Sequence, residues 1–271
     1  MNLPLIDESL AGRLIRAETE FYASRIRSIG ERPGNPEGVE MRNFGNASAF
    51  YIKTMPWGLF NSVKGFTRDD AGLLDEIIHF YRERNRAFQL DIDPSAVDAK
   101  TLRLLAEKGL YHDGFQSVLY GVPSGEPPQL PASMTIRQIE NEADFDHYAA
   151  IHCVGSGMDI RHKHHFFNNN IGLLHRPGWR LYLASWDGSP AAVAVMHISG
   201  SVASFTLAAT APQFRRRGLQ TALLRWRMHE AHKAGCELVA AQADAGSSSQ
   251  RNMERIGLRL AWTRAIWKPL Q

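Results

Sequence analysis

Residues 205–221 read FTLAATAPQFRRRGLQT. An apolar strand runs into Pro212, which removes a ladder donor and ends the strand. A short loop with three arginines follows, then Gly218, then a helix with Leu219, Ala222, Leu223, Trp226 and Glu230 at helical spacing, closed by Gly235. A strand–loop–helix junction gathers backbone N–H groups and the positive end of the helix dipole at one place. The first helical N–H groups have no partner within the helix, so an anion there gains several hydrogen bonds at once. Gly218 has no Cβ where phosphate oxygens must approach the backbone, and arginine adds charge-assisted, often bidentate, contacts. The physical reading is a pyrophosphate cradle.

Working outward, the charge supports this. The chain has 271 residues with 31 Lys+Arg and 28 Asp+Glu, a net +3. From Ser201 to Gln271, eleven basic residues face four acids, an excess of +7 that leaves −4 for the rest. The basic residues cluster at helix starts without interleaved aromatics, which favours a compact phosphorylated ligand over nucleic acid. Apolar residues at 44% and charged residues at 22% exclude a disordered or collagen-like chain. No apolar run approaches the roughly 20 residues of a membrane span. MNLPLIDESL has no secretory pattern. Cys153 and Cys236 lack metal-ligand spacing, and so few thiols suggest a reducing, cytoplasmic setting.

VPSGEPPQLPASM at 122–134 is the best domain boundary, giving units at 1–121 and 134–271 joined by a linker at 122–133. Before it, the pattern predicts helices over 7–29, 70–84 and 97–108, and strands over 48–53, 59–63, 87–92 and 116–122, with a loop at 30–38. After it come strands over 134–137, 180–186, 190–198, 202–209, 236–243 and 258–267, and helices over 142–152, 218–234 and 249–256, with a long irregular stretch at 153–178. The halves repeat: Leu73-Leu74 opens a helix whose unit ends at Gly109-Leu110, as Leu223-Leu224 precedes Gly257-Leu258. Two copies of one α/β unit is the simplest account.

The run from Ala208 to Leu224 resembles motif A of the GCN5-related N-acetyltransferases. Arg215 takes the Arg/Gln position, Gly218 the central glycine, Gln220 the last small position and Thr210 the position two before the proline. Asn252 to Leu258, NMERIGL, resembles the family's later segment, so the resemblance covers about 134–271. It implies a tandem pair of mixed α/β acyltransferase folds, each a mixed sheet flanked by helices, with acetyl-coenzyme A as cosubstrate in the second. It further implies that Ala208 and Thr210 pair with the pantetheine arm, that amides from Arg216 to Thr221, with Arg215 and Arg217, hold the pyrophosphate, and that Asn252 and Ser249 reach the distal arm. Two residues depart from the family: Gln220 replaces a small residue, and Met253 stands where many members have a proton-donating tyrosine. In the first half, Lys64-Gly65-Phe66-Thr67-Arg68-Asp69-Asp70 has one glycine and two acids at the helix start. That implies a degenerate copy, a division seen in tandem members resembling mycothiol synthase.

Amide formation needs a neutral amine, an oxyanion donor and a proton route. The donor falls at a backbone N–H of Leu207 or Ala208. VASFTLAA contains no carboxylate, so the candidate bases are His197, His152, Asp159, Glu142 or a water chain. Arg161-His-Lys-His-His165 reads as a solvated basic turn, not a metal site. Phe166, Phe167, Trp179 and Trp186 read as core or as an acceptor-pocket wall. Cys153 points away from His152 on a helix and does not pair with it. The expectation is an N-acetyltransferase acting on a primary amine of a small molecule by direct attack, a monomer or homodimer without nucleic-acid or membrane partners and without a metal. A non-catalytic acyl-coenzyme A sensor and an acyltransferase fed by aminoacyl-tRNA are the alternatives.

Overall fold

The computed structural model describes residues 3–270. It divides into two compact units, and the division does not follow chain order. The N-terminal unit takes 5–118, 243–245 and 260–270; the C-terminal unit takes 119–242 and 246–259, with 3–4. A boundary at 122–133 therefore separates most of the chain, but the last strand lies with the N-terminal residues.

In the N-terminal unit, helix α1 (Glu8–Gly30) starts at Asp7, whose carboxylate accepts from the Leu10 amide. Leu10, Leu14, Ala17 and Phe21, at i, i+4, i+7 and i+11, form its buried stripe. Strands β1 (Val39–Phe44) and β2 (Ala47–Ile52) form a hairpin. β1 is not legible in the sequence, because VEMRNF is half polar and only Phe44 of it is buried. The predicted strand over 59–63 is instead a single helical turn at 58–60 followed by β3 (Ser62–Lys64). Asn61 sets this turn. Its amide donates to the Met55 and Trp57 carbonyls, and its Oδ1 accepts from the Ile52 amide. Then come α2 (Leu74–Arg82), β4 (Gln89–Ile92), α3 (Ala99–Glu107) and β5 (Leu110–Gly121), the last beginning six residues earlier than predicted. The C-terminal strand β11 (Arg259–Pro269) pairs antiparallel with β4, Ala265 opposite Ile92, giving the order β1-β2-β3-β4-β11-β5. Phe66, Ile77, Tyr81, Leu90, Ile92 and Leu105 form the core beneath.

A buried ionic cluster ties β11 into this unit. Arg264 clamps Glu18 through Nη1 and Nη2 at 2.6 and 2.8 Å and donates from Nε to Asp93 at 2.8 Å. Lys64 bridges Glu18 at 3.0 Å and Asp91 at 2.5 Å, and Trp262 Nε1 donates to Asp93 at 2.6 Å. Burial pushes the Glu18 carboxyl up, but Arg264 and Lys64 outweigh it and hold its pKa at about 2. At Asp93 burial prevails over Arg264 and the pKa is raised.

The C-terminal unit is built from β6 (Met134–Gln138), α4 (Glu142–Gly155), α5 (Lys163–Asn168), β7 (Trp179–Trp186), β8 (Ser189–Ser199), β9 (Val202–Thr210), α6 (Leu219–Lys233), β10 (Leu238–Ala243) and α7 (Ser248–Arg255). Its sheet runs β10-β9-β8-β7-β6, antiparallel except for the parallel β9/β10 pair. β8 is buried from Ala191 to His197, hence its unbroken apolar run. Asp187-Gly188 makes the β7–β8 turn with both residues at positive φ, as a tight hairpin of this residue type requires.

Removing one partner of a buried ion pair leaves the others uncompensated. Arg264→Ala is expected to destabilise the chain by about 3–5 kcal/mol, read as the midpoint of urea unfolding. Glu18 has a folded pKa of about 2 against an ordinary 4.5. Its stabilisation is therefore complete above about pH 4.5 and is lost as pH falls towards 2. The stability difference between the parent and Glu18→Gln should shrink between pH 5 and pH 3; a constant difference contradicts this.

Candidate functional site

β9 and β10 run side by side only from Val202–Leu238 to Phe205–Ala241. Beyond Phe205, β9 leaves its neighbour. Leu207 has φ +47°, a left-handed residue in a strand, and the β8/β9 register shifts between Val193 and Val195. This is a β-bulge, which bends the strand and re-aims the residues after it. The wedge it opens is a cavity of about 680 Å³.

The floor and walls of the cavity come from the loop and helix that follow. Arg216 has φ +63° and Gly218 φ +79°, so the loop turns twice through left-handed backbone, and both residues line the cavity. Gly218 is the N-cap of α6, and no side chain caps this helix and no acid stands in its first turn. By contrast, Asp7, Asp98, Asn141 and Ser247 cap α1, α3, α4 and α7. The first backbone bond of α6 runs from the Ala222 N–H to the Gly218 carbonyl. The residues before it, Gly218, Leu219, Gln220 and Thr221, whose amides precede the first intrahelical bond, line the cavity. Arg215 donates to the Gly155 carbonyl at the end of α4, at 3.1 Å. Gly155 is required there, since a Cβ would come within 2.8 Å of the Ala209 Cβ.

Of the residues singled out from the sequence, Ala208, Thr210, Arg215, Arg216, Gly218, Gln220, Thr221 and Asn252 line this cavity. Leu207, Arg217 and Ser249 do not. Leu207 forms the bulge; Arg217 lies over Trp186 and Phe214, 5.2 and 5.5 Å from their ring centres. Ser249 accepts from Gln220 Nε2 at 3.2 Å, and Gln220 Oε1 accepts from Asn252 at 2.5 Å. The Gln220 side chain thus turns towards α7 and joins the two helices, leaving its amide in the cavity wall. The sequence reading missed Arg227, Arg251 and Arg255, which also line the cavity. Their charge was visible in the C-terminal excess, but only the packing of α6 and α7 shows which cations converge.

The candidate bases lie elsewhere. His197 is buried on β8 opposite Trp179 and Ser204, its ring 4.8 Å from the Trp179 ring, and is outside the cavity wall. His152 accepts or donates at Nδ1 to the Tyr148 hydroxyl at 3.1 Å and packs on Phe166. Asp159 pairs with Arg161, and Glu142 opens α4. Phe167 packs edge-on to Phe145, and Trp179 is buried; both are packing residues. Cys153 donates to the Asp159 carbonyl, and burial raises its pKa. Met253 is buried. In the turn at 161–165, the His165 ring lies against those of His162 and His164, and no group of three or more His, Cys, Asp or Glu suited to a metal occurs among the described residues.

The N-terminal unit repeats the strand–loop–helix order at β3, which lies parallel to β4. There, however, Asp70 occupies the turn: its carboxylate accepts from the Thr67 and Asn46 amides at 2.9 and 2.8 Å and from the Thr67 hydroxyl. A carboxylate of the chain itself thus stands at the start of this turn, where the C-terminal unit's helix has neither a side-chain cap nor an acid.

Residues 137–258 match the family described as "Acetyltransferase (GNAT) family". No curated protein matches the chain. Among solved structures, a GCN5-related N-acetyltransferase from Kribbella flavida has a TM-score of 0.70 at 16% identity, covering 97% of this chain and 96% of that one. A GCN5-related N-acetyltransferase from Sphaerobacter thermophilus has a TM-score of 0.56 at 15% identity, covering 98% and 94%. A tandem GNAT protein from the clavulanic acid biosynthesis pathway has a TM-score of 0.60 at 12% identity, covering 98% and 97%. At these identities the likeness establishes a shared fold over the whole chain. No helix among the described residues is long and apolar enough to cross a membrane.

Gly218 has open space around its Cβ direction, so replacement strains only the backbone. Gly218→Ala is expected to cost about 1 kcal/mol of unfolding stability. An unchanged urea midpoint would show that the left-handed cap is not held.

Proposed function

Residues 137–258 are a domain of the acetyltransferase (GNAT) family, and on that premise we propose that the C-terminal unit binds acetyl-coenzyme A and passes its acyl group to a primary amine of a small molecule. The observation that carries this reading is the cavity between the bulged end of β9 and the uncapped start of α6. Amides from Arg216 to Thr221 would hold the pyrophosphate, with Arg216 adding charge. Arg215, bonded to the Gly155 carbonyl, would fix the loop. Ala208 and Thr210, where β9 has left β10, offer backbone groups to the pantetheine amides. Arg251 and Arg255 on α7 suit the remaining phosphate charge, beside Asn252.

In the reaction the neutral amine nitrogen attacks the thioester carbon and its lone pair forms the C–N bond. The carbonyl electrons move to oxygen, where a backbone amide by the Leu207 bulge can stabilise them. Collapse breaks the C–S bond; the amine proton leaves to water, and the thiolate takes a proton from water. Met253 cannot supply it, and neither His197 nor His152 reaches the cavity wall. The same lack of acid or base in the wall favours acyl-coenzyme A sensing as a second reading. The N-terminal unit, its turn filled by Asp70, is left out of cofactor binding.

Titration calorimetry with coenzyme A should give one site, and Gly218→Glu, which sets a carboxylate against the phosphates, should weaken it at least about tenfold. Thiol release with a panel of polyamines, amino acids and aminoglycosides should identify an acceptor; binding without release would support the sensor. With an acceptor, the rate should rise with pH until the amine itself is deprotonated. A plateau near 6.5, the ordinary imidazole value, would instead place a histidine in the proton path.

A further inference from the structure

Arg227 stands on the buried stripe of α6, one turn beyond Leu223, where an apolar residue would pack without desolvation cost. It is 2% exposed and forms part of the cavity wall. Nε donates to the Leu223 carbonyl at 3.2 Å and Nη1 to the Val195 carbonyl at 2.9 Å. Its guanidinium lies 4.5 Å from the Phe205 ring centre. Among the described residues no carboxylate pairs with it. Burial pulls its pKa down to about 9, with the Tyr182 hydroxyl acting in the opposite sense, so it still carries its charge at neutral pH.

A guanidinium has five N–H donors, and two are used here. Buried charges ordinarily have a counter-ion, and this one lies in the wall of an open cavity, so a ligand can bring it. Its level in the cavity says which part of the ligand. Val195 pairs with Thr206, just inside the bulge, whereas the amide loop begins beyond Thr210. A thioester held along Thr210 and Ala208 has its acyl end directed towards Thr206, Val195 and Arg227.

We propose that Arg227 receives the terminal carboxylate of a short dicarboxylic acyl group, so that the preferred donor is an acyl-coenzyme A of the malonyl or succinyl class. The proposal rests on the coenzyme A reading above and specifies the acyl chain. Arginine fits the role because its fork meets a carboxylate in two parallel bonds while Nε and Nη1 remain anchored to the two carbonyls.

The test is calorimetric binding of succinyl-coenzyme A against butyryl-coenzyme A, which differ chiefly in the terminal carboxylate. The full chain should bind the succinyl thioester about tenfold or more tightly. Arg227→Met, which fills the apolar stripe, should bring the ratio near one, and Arg227→Lys should keep part of the preference. Equal affinities in the unaltered chain overturn the proposal, whether or not the variants fold, as does a preference that survives Arg227→Met. If acyl preference is absent but Arg227→Met raises KM for carboxylated amines over their decarboxylated counterparts, the arginine serves the acceptor and the acyl assignment is wrong. If neither thioester nor coenzyme A binds, the cofactor reading itself fails; if both thioesters bind equally, only the present inference does.

Discussion

The separation of β9 from β10 after Phe205 is the constraint on which the site depends. Parallel strands normally continue as one surface, and their backbone groups satisfy each other. Here the pairing ends at Ala241, and the Leu207 bulge turns the rest of β9 aside. Left-handed backbone at a non-glycine residue costs on the order of 1 kcal/mol or more, and such strain gathers at sites where geometry is put to use. Leu207 and Arg216, both left-handed, stand at the two ends of the segment that frames the cavity. Gln220 then fixes α7 against α6, so the arginines of α7 face the same space as the amides of the loop.

Comparison of the two units shows why one of them is the candidate. Both run a strand into a turn and a helix. In the C-terminal unit the turn carries arginines and no acid, and its helix lacks a side-chain cap. In the N-terminal unit a 3-10 helix at Arg68–Leu73 precedes α2; Asp70 completes a capping box with Thr67 at its start, and Asp69 adds a second negative charge to its first turn. A phosphate would have to displace a bonded carboxylate and sit beside another. The same unit devotes its interior to five charged side chains, Glu18, Lys64, Asp91, Asp93 and Arg264, all buried. Such a cluster adds little net stability over apolar packing but is intolerant of a missing member. It holds β11, the last strand of the chain, in register with β4.

The junction at 205–221 was legible because its chemistry is local. Proline, arginines and glycine at fixed offsets produce the same turn whatever surrounds it. The long helices were legible from the spacing of their apolar residues, as over 7–29. Three things were not. β1 is an edge strand whose VEMRNF alternates only over its first four residues, too short a run to stand out from the loop before it. The allegiance of β11 depends on Arg264 meeting Glu18, residues far apart in sequence, and no local pattern encodes such a pairing. The bulge at Leu207 places Ala208 and Thr210 in the cavity, and a leucine gives no warning of positive φ. His197 and His152 looked like candidate bases because imidazole titrates near neutrality, yet strand and helix direction, not residue type, decide what reaches a cavity. Arg227 was visible only as one more positive charge on an amphipathic helix; its burial distinguishes it.

The central claim, that backbone amides at the start of α6 grip a diphosphate, is tested most directly by amide hydrogen exchange on the full chain with and without coenzyme A. The account predicts that exchange at Arg216 to Thr221 slows by about tenfold or more when coenzyme A is added, and does not change with pantetheine, which lacks the phosphates. Unaltered exchange across those amides in saturating coenzyme A, or slowing confined to Gly65 to Asp70 of the other unit, would contradict it.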